Sequence, residues 1–401
     1  MKLLIFCSFE VGGFPYQMAS ALNHSGIQVF YISIAHSTND HDSTNFHFKD
    51  TNKPWNISSK VNQHSSKKEL VSNIQDTIKS LGIDGCFATG KSCYLLEKAG
   101  IPYKYWCYGG DLDQFWFYKK NPQNTSKFLF WIKDRLHYMK SYLYMRMLRV
   151  KKANAFKSIF KADAIMIAPY QYAAASHFGM CNNLFFLPHL LLLKGFREIL
   201  TLKKIAKEEL CQIFGSDHLF FSSSRHEWGV CASKISDNKG NDIMIRAFAQ
   251  YCETNHLINS KFILVNKGRS ISDSVKLINE LGIKDNVVWI DEVSRPELEK
   301  YYLGASICFG QFGTPVLTYS TVEPLACATP VVSYFETNDN VPFYDSLPPI
   351  CNSRDINDIV SFMSFVTNNT SEEEIISKNS WEWVNSNCSE SAFTKEFVKI
   401  L

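Results

Sequence analysis

From Leu3 to Tyr334 the chain alternates short apolar runs with helix-patterned stretches, and this alternation restricts the available folds more than any other feature. The run Leu3–Phe9 leads into Glu10-Val11-Gly12-Gly13-Phe14-Pro15, then a helical pattern over Tyr16–Asn23, then a second run at Ile27–Ile34. Strand, glycine turn, helix and strand within about 30 residues is the spacing of a βαβ unit, whose strands lie parallel in one sheet. Further runs follow at Gly85–Ala88, Tyr103–Tyr108 and Ala164–Ala168. A second series opens at His218–Ser222. It continues through Ile243–Cys252 (helix), Phe262–Asn266 (strand), Ser272–Leu281 (helix), Val287–Ile290 (strand), Arg295–Leu303 (helix), Ser306–Phe309 (strand) and Pro330–Tyr334 (strand). Both halves therefore predict doubly wound α/β domains.

The weakest stretch between the two series is Pro188–Gly215, a proline-containing turn entering the charged helical pattern Lys194–Phe214. The expected division is an N-terminal domain over 1–190, a second domain over 191–375, and a helical C-terminal segment over 376–401 that packs back on the first. That tail carries a break at Asn385–Ser389. With 45% hydrophobic and 20% charged residues, the composition excludes a disordered or collagen-like chain.

The 12 cysteines are scattered, with no C-x-x-C pair and no paired Cys/His spacing, so reduced thiols and no metal are expected. The apolar N-terminal run stops at Glu10, short for a signal-peptide core, and Leu184–Leu193 is interrupted by Pro188-His189, well under the roughly 20 residues that span a bilayer. A cytoplasmic protein is the expectation.

The most informative stretch is Gly310–Val332. It runs from a strand end through a loop containing Thr314-Pro315 into a short helix, then the Thr329-Pro330 turn and another strand. A helix start at the carboxyl edge of a parallel sheet presents free N–H groups and a positive dipole end, which suit a phosphate. Glu323 is expected in the first helical turn, where a carboxylate can accept hydrogen bonds from a ribose diol. Ser320-x-x-Glu323 is also a capping box, which needs no ligand. Both readings stand on spacing alone.

This stretch resembles the nucleotide-sugar signature of the family-4 glycosyltransferases, retaining enzymes of the GT-B fold. Glu323-Pro324-Leu325-Ala326-Cys327-Ala328-Thr329-Pro330-Val331-Val332 is similar to their Glu-Ala-Met-Ala-Cys-Gly-x-Pro-Val-Val. The resemblance extends to Ser222–Trp228, to Asn238–Asp242, and to Asn286–Glu292 with Glu297–Tyr302. It implies two Rossmann-like domains facing across a cleft. It also implies that Arg225 and Lys239 clamp the donor diphosphate as catalytic cations, and that Gly12, Gly13, Val293, Thr318, Tyr319, Ser320, Thr321 and Glu323 complete the donor site. A planar guanidinium fork and an ammonium point charge are the groups suited to a leaving diphosphate.

Three positions depart from the family pattern. The residue eight places before Glu323 is Pro315, where members carry a Glu that contacts the donor sugar. Gln311-Phe312-Gly313 instead resembles a subgroup with an Asp-Gln-Phe-Gly loop in which Gly310 replaces the Asp. In Tyr108-Gly109-Gly110-Asp111, similar to the family's His-Gly-x-Asp element, Tyr108 stands for the His, and Asp111 is left as the candidate for acceptor binding and catalysis. Asp111-Leu112-Asp113 is also a D-x-D triplet. A metal role there is set aside because Arg225 and Lys239 supply the positive charge.

Residues 127–161 carry ten lysines and arginines against one aspartate, a local +9 that a mildly acidic remainder reduces to +3 overall. Apolar residues at 128, 132, 136, 139, 143, 147 and 150 form one helical stripe. Such a helix suits an anionic membrane surface, and it equally suits packing on the N-domain sheet with its charges solvated. Nucleic acid is not an expected partner, since no recognition module accompanies the charge.

The resulting expectation is a retaining glycosyltransferase that moves a sugar from a nucleoside diphosphate sugar to a saccharide acceptor. By family habit the acceptor is lipid-linked and belongs to surface polysaccharide synthesis at the inner face of the plasma membrane. No cofactor beyond the co-substrate is expected. The rival, motivated by Pro315 and Tyr108, is a non-catalytic protein of the same fold that binds nucleotide or a partner.

Overall fold

The computed structural model describes residues 1–7, 14–33, 53–58, 67–90, 92–107, 158–159, 161–167, 184–229, 238–255, 259–313, 317–336, 344 and 346–401. The chain divides into two compact units, Met1–Leu190 with Phe393–Leu401, and Leu191–Ala392.

The first unit contains β1 (Lys2–Cys7), α1 (Phe14–His24), β2 (Gln28–Ser33), α2 (Lys67–Leu81), β3 (Gly85–Thr89), α3 (Ser92–Lys98), β4 (Lys104–Trp106), β5 (Ile165–Ile167) and β6 (Leu184–Phe186). Its sheet is parallel, in the order β2-β1-β3-β4-β5-β6. A parallel sheet is covered on both faces, so its strands read as continuous apolar runs. Along β1, Leu4 and Phe6 enter one core while Leu3, Ile5 and Cys7 enter the other. Phe393, Phe397 and Ile400 complete the second of these cores from the far end of the sequence.

In the second unit α4 (Phe196–Phe214) precedes β7 (His218–Ser222), α5 (Asn241–Thr254), β8 (Ser260–Val265), α6 (Ile271–Glu280), β9 (Val287–Ile290) and α7 (Arg295–Gly304). There follow β10 (Ile307–Phe309), α8 (Tyr319–Ala326), β11 (Val331–Ser333), β12 (Cys351–Asn352), α9 (Ile356–Asn368), α10 (Thr370–Cys388) and α11 (Glu390–Val398). α11 straddles the division between the units, its residues from Phe393 onward belonging to the first. The second sheet is also parallel, in the order β12-β11-β10-β7-β8-β9. Phe220 faces a core with Phe248, Phe262 and Phe309, and its neighbour Phe221 turns to the opposite face and stacks on Tyr301 of α7 at 5.2 Å.

These two parallel α/β units have the architecture of the GT-B fold. In the second, the strand order reverses between β7 and β10, and in open α/β sheets ligands bind outside the carboxyl ends of the strands at such a reversal. The loops after β7 and β10 are therefore where a site is to be sought.

Candidate functional site

The turn after β7 carries Ser223-Ser224-Arg225-His226-Glu227, with Arg225 exposed. Glu227 is only 5% exposed and receives Arg269 Nε at 3.1 and 2.8 Å, with Arg269 Nη2 at 2.7 Å. Burial opposes its charge, but the Arg269 contacts and the nearby Arg225 outweigh burial and hold the carboxyl below its ordinary pKa. Glu227 is thus a strut of the turn. Its carbonyl accepts the Lys239 N–H at 2.6 Å, and its own N–H donates to Asn241 Oδ1 at 3.1 Å. This main-chain bond ties the turn that carries the sequence-predicted cation Arg225 to the turn that carries Lys239.

Lys239 is set against the loop after β10. Its Nζ donates to Gln311 Oε1 at 2.9 Å, and its carbonyl accepts the Phe312 N–H at 2.9 Å. Gly240 has φ +63°, and a Cβ there would lie 2.8 Å from Gly313 N, so only glycine allows the two loops to meet. From the other side Arg354 Nε donates to the Phe312 carbonyl at 2.6 Å and Nη2 to that of Gly313 at 2.8 Å.

Gly310 joins the three strands of the site. Ser224 Oγ donates to its carbonyl at 3.2 Å, while a Cβ at Gly310 would lie 2.5 Å from Ser333 Oγ and 2.6 Å from Thr321 Oγ1. The aspartate of the related loop has no room here, which accounts for the glycine.

α8 begins at Tyr319 with Thr318 as N-cap, whose carbonyl accepts the N–H groups of Thr321 and Val322 at 2.9 and 3.0 Å. Ser320 and Thr321 thus belong to the first turn. Glu323 does not. It is the fifth helical residue, so both the expected first-turn placement and the capping box are corrected. The Ser320 hydroxyl pairs with Thr318 Oγ1 at 2.9 Å. Glu323 is instead turned toward α7, where Arg295 Nη2 meets Oε1 at 2.5 Å and the Tyr302 hydroxyl donates to Oε2 at 3.2 Å. Burial raises the Glu323 pKa, opposed by Arg295 and Tyr302. Tyr302 OH also shares a hydrogen bond with Ser223 Oγ at 2.7 Å, which links Glu323 back to the Arg225 turn. Val293, half-buried, lies two residues before Arg295 in the loop after β9.

His226, fully buried beside Arg225, has no role assigned by the sequence motif that contains it. Its N–H donates to the Lys267 carbonyl at 2.6 Å, its carbonyl accepts from Ser270 N–H at 2.9 Å, and its Nδ1 meets Ser274 Oγ at 2.7 Å. Burial lowers its pKa from 6.5 to about 4. A histidine held neutral in the folded chain but free to charge when unfolded contributes stability that is full above pH 6.5 and lost as the pH falls toward 4. The midpoint of urea unfolding is expected to fall through that window, and His226→Gln to flatten the slope.

Gly12, Gly13, Asp111 and Pro315 lie outside the described residues, as does the basic segment 127–161 except Ser158, Ile159 and Lys161. Lys161 pairs with Glu97. One tempting pattern fails. Gly85-Cys86-Phe87-Ala88-Thr89-Gly90-Lys91-Ser92 matches the G-x-x-x-x-G-K-S phosphate loop literally. Its first five residues are β3, however, and the fully buried Ser92 hydroxyl donates to the Phe6 carbonyl at 2.7 Å. Among the described residues no helix is long and apolar enough to cross a membrane.

Residues 224–338, which contain Arg225, Lys239, Arg295, Gly310 and Glu323, match the family described as "Glycosyl transferases group 1". No curated protein sequence matches the chain. Among solved structures, the chain is similar to Anabaena Alr3699/HepE in complex with UDP-glucose, at 14% identity and TM-score 0.61, covering 100% of this chain and 98% of that one. It is also similar to a glycosyltransferase from Rickettsia africae, at 12% identity and TM-score 0.60, covering 100% and 97%. A third is WaaG, a glycosyltransferase involved in lipopolysaccharide biosynthesis, at 14% identity and TM-score 0.53, covering 100% and 98%. At these identities the likeness is one of fold.

Proposed function

We propose that the protein is a glycosyltransferase that binds a nucleoside diphosphate sugar at the β7/β10 reversal and passes the sugar, with retention, to a saccharide acceptor. The observation that carries this reading is the main-chain bond between Glu227 and Lys239. It ties the turn carrying Arg225 to the one carrying Lys239, and Lys239 meets the loop after β10 through Gln311, at the kind of place where an open α/β sheet binds ligands. Arg225 and Lys239 stabilise the charge that develops on the departing diphosphate, a kind of term that usually dominates such catalysis. Glu323 receives the ribose hydroxyls, the first turn of α8 faces the phosphates, and Val293 borders the base. With two cations in place, the leaving group needs no metal.

The matched family and the UDP-glucose complex of a structural relative support a nucleotide-sugar donor. A lipid-linked acceptor of surface polysaccharide synthesis fits the involvement of WaaG in lipopolysaccharide biosynthesis and the basic segment 127–161, with Asp111 of the N-terminal unit contacting it. Such an enzyme works in the cytoplasm against the inner face of the plasma membrane. Incubation with UDP-, GDP- and ADP-sugars, following release of nucleoside diphosphate and the anomeric configuration of the product by NMR, tests this. Turnover of one donor with retained configuration is expected. Saturable nucleotide binding with no turnover on any acceptor would favour the non-catalytic reading.

A further inference from the structure

We propose that Arg295 is a positioning residue of the donor site, holding the Glu323 carboxylate so that its remaining lone pairs face the two hydroxyls of a ribose. The inference rests on the donor-site reading above and assigns a function to a residue outside the motifs that suggested it.

Arg295 opens α7, where its backbone is fixed. Glu297 Oε2 accepts from Ser294 N–H at 3.0 Å and from Ser294 Oγ at 2.6 Å, and the Pro296 ring fixes φ in the first turn. An arginine at a helix start normally faces the unfavourable end of the dipole and extends into water. This one is 20% exposed and reaches α8, ending on a carboxylate that is 17% exposed. Tyr302, two turns further along α7, takes the other oxygen. Each Glu323 oxygen thus has one protein partner. A carboxylate offers about four acceptor positions. About one on each oxygen is left, which is the arrangement a vicinal diol requires. The Ser223 bond to Tyr302 ties this orientation to the turn that carries Arg225, so the ribose-binding oxygens and the diphosphate clamp are held in one frame.

Without Arg295, the carboxylate keeps only the Tyr302 bond and swings about its last torsion, and burial favours its neutral form. The consequence is specific to ligands that carry the diol. Phosphate contacts are untouched, because the turn that carries Arg225 is held by the main-chain bonds of His226 and Glu227, and Lys239 by its own bonds to Glu227 and Gln311.

The experiment is a ligand–mutation cycle on the full chain by titration calorimetry. The probes are the nucleoside diphosphate that binds the wild type most tightly among UDP, GDP and ADP, and its 2′,3′-dideoxy counterpart. Arg295→Met is expected to bind the ribonucleotide about tenfold more weakly than wild type, the scale of a hydrogen bond to a charged group. It is expected to bind the dideoxy compound with wild-type affinity. Arg295→Lys recovers part of the loss, and Glu323→Gln reproduces the selective defect without disturbing α7. Equal weakening toward both ligands, or no weakening toward either, would overturn the inference while leaving the donor site in place. Failure of the wild type to bind any of the three nucleotides would overturn the donor-site reading itself, and this inference with it.

Discussion

Replacing Arg225 and Lys239 together by alanine is expected to weaken binding of a nucleoside diphosphate by about 10²–10⁴-fold. Each removes a charge-assisted contact worth about 1.5–3 kcal/mol, and the two act on one diphosphate. The fold is expected to survive. Arg225 is exposed, and the bonds that shape its turn run through the main chains of His226, Glu227 and Lys239, which alanine preserves. The Lys239–Gln311 side-chain bond and the attraction of Arg225 for Glu227 are given up. Calorimetry checks the affinity, and a thermal midpoint within about 2 °C of wild type checks the fold, the change expected for a surface loss of about 0.5 kcal/mol. A nucleotide affinity unchanged in the double variant would remove the clamp assignment. Raised salt should weaken wild-type binding and leave the residual binding of the variant nearly unaffected, since the screened cations are gone.

Gly268→Ala is expected to act through the same turn from behind. Gly268 has φ +120°, and a Cβ there would lie 2.3 Å from the His226 carbonyl oxygen and 2.6 Å from its nitrogen. Neither atom can give way alone, because His226 N–H is bonded to Lys267 O and His226 O to Ser270 N–H. The strain of a left-side backbone conformation and the overpacking against main chain add to about 2–5 kcal/mol. Urea unfolding reads the loss as a lower midpoint at unchanged slope. Because His226 adjoins Arg225, nucleotide affinity should fall with it. A midpoint within experimental scatter of wild type would show that the turn is not built as described.

The fold was readable because both sheets are parallel and doubly covered. The buried strand His218–Ser222 and the half-buried edge strand Val287–Ile290 then stand out as apolar runs between helical patterns, and the observed bounds coincide with the expected ones. Two strands escaped notice. β6 lies in the apolar stretch from Leu184, where Pro188-His189 masked the three residues that pair with β5, and β12 pairs through only Cys351 and Asn352. A run of two or three residues carries no period.

The site was legible where chemistry sits in consecutive residues and illegible where tertiary contacts make it. Glu323 was found from its motif, but its position in α8 was misjudged because Ser320-x-x-Glu323 spacing mimics a cap, whereas Thr318 starts the helix two residues earlier. Nothing local marks Arg295 as its partner, 28 residues away. Gly310 looked like a lost aspartate. In the structure it is the only residue that fits between Ser333 and Thr321.

The central claim is that the β7/β10 reversal of the second unit receives the nucleoside diphosphate of a sugar donor. Hydrogen–deuterium exchange of the full chain with and without a saturating nucleotide sugar tests it most directly. The account predicts slowed exchange confined in this unit to peptides covering 223–228, 238–243, 293–297 and 310–325. Saturable binding that leaves all four segments unchanged and protects others instead would contradict it.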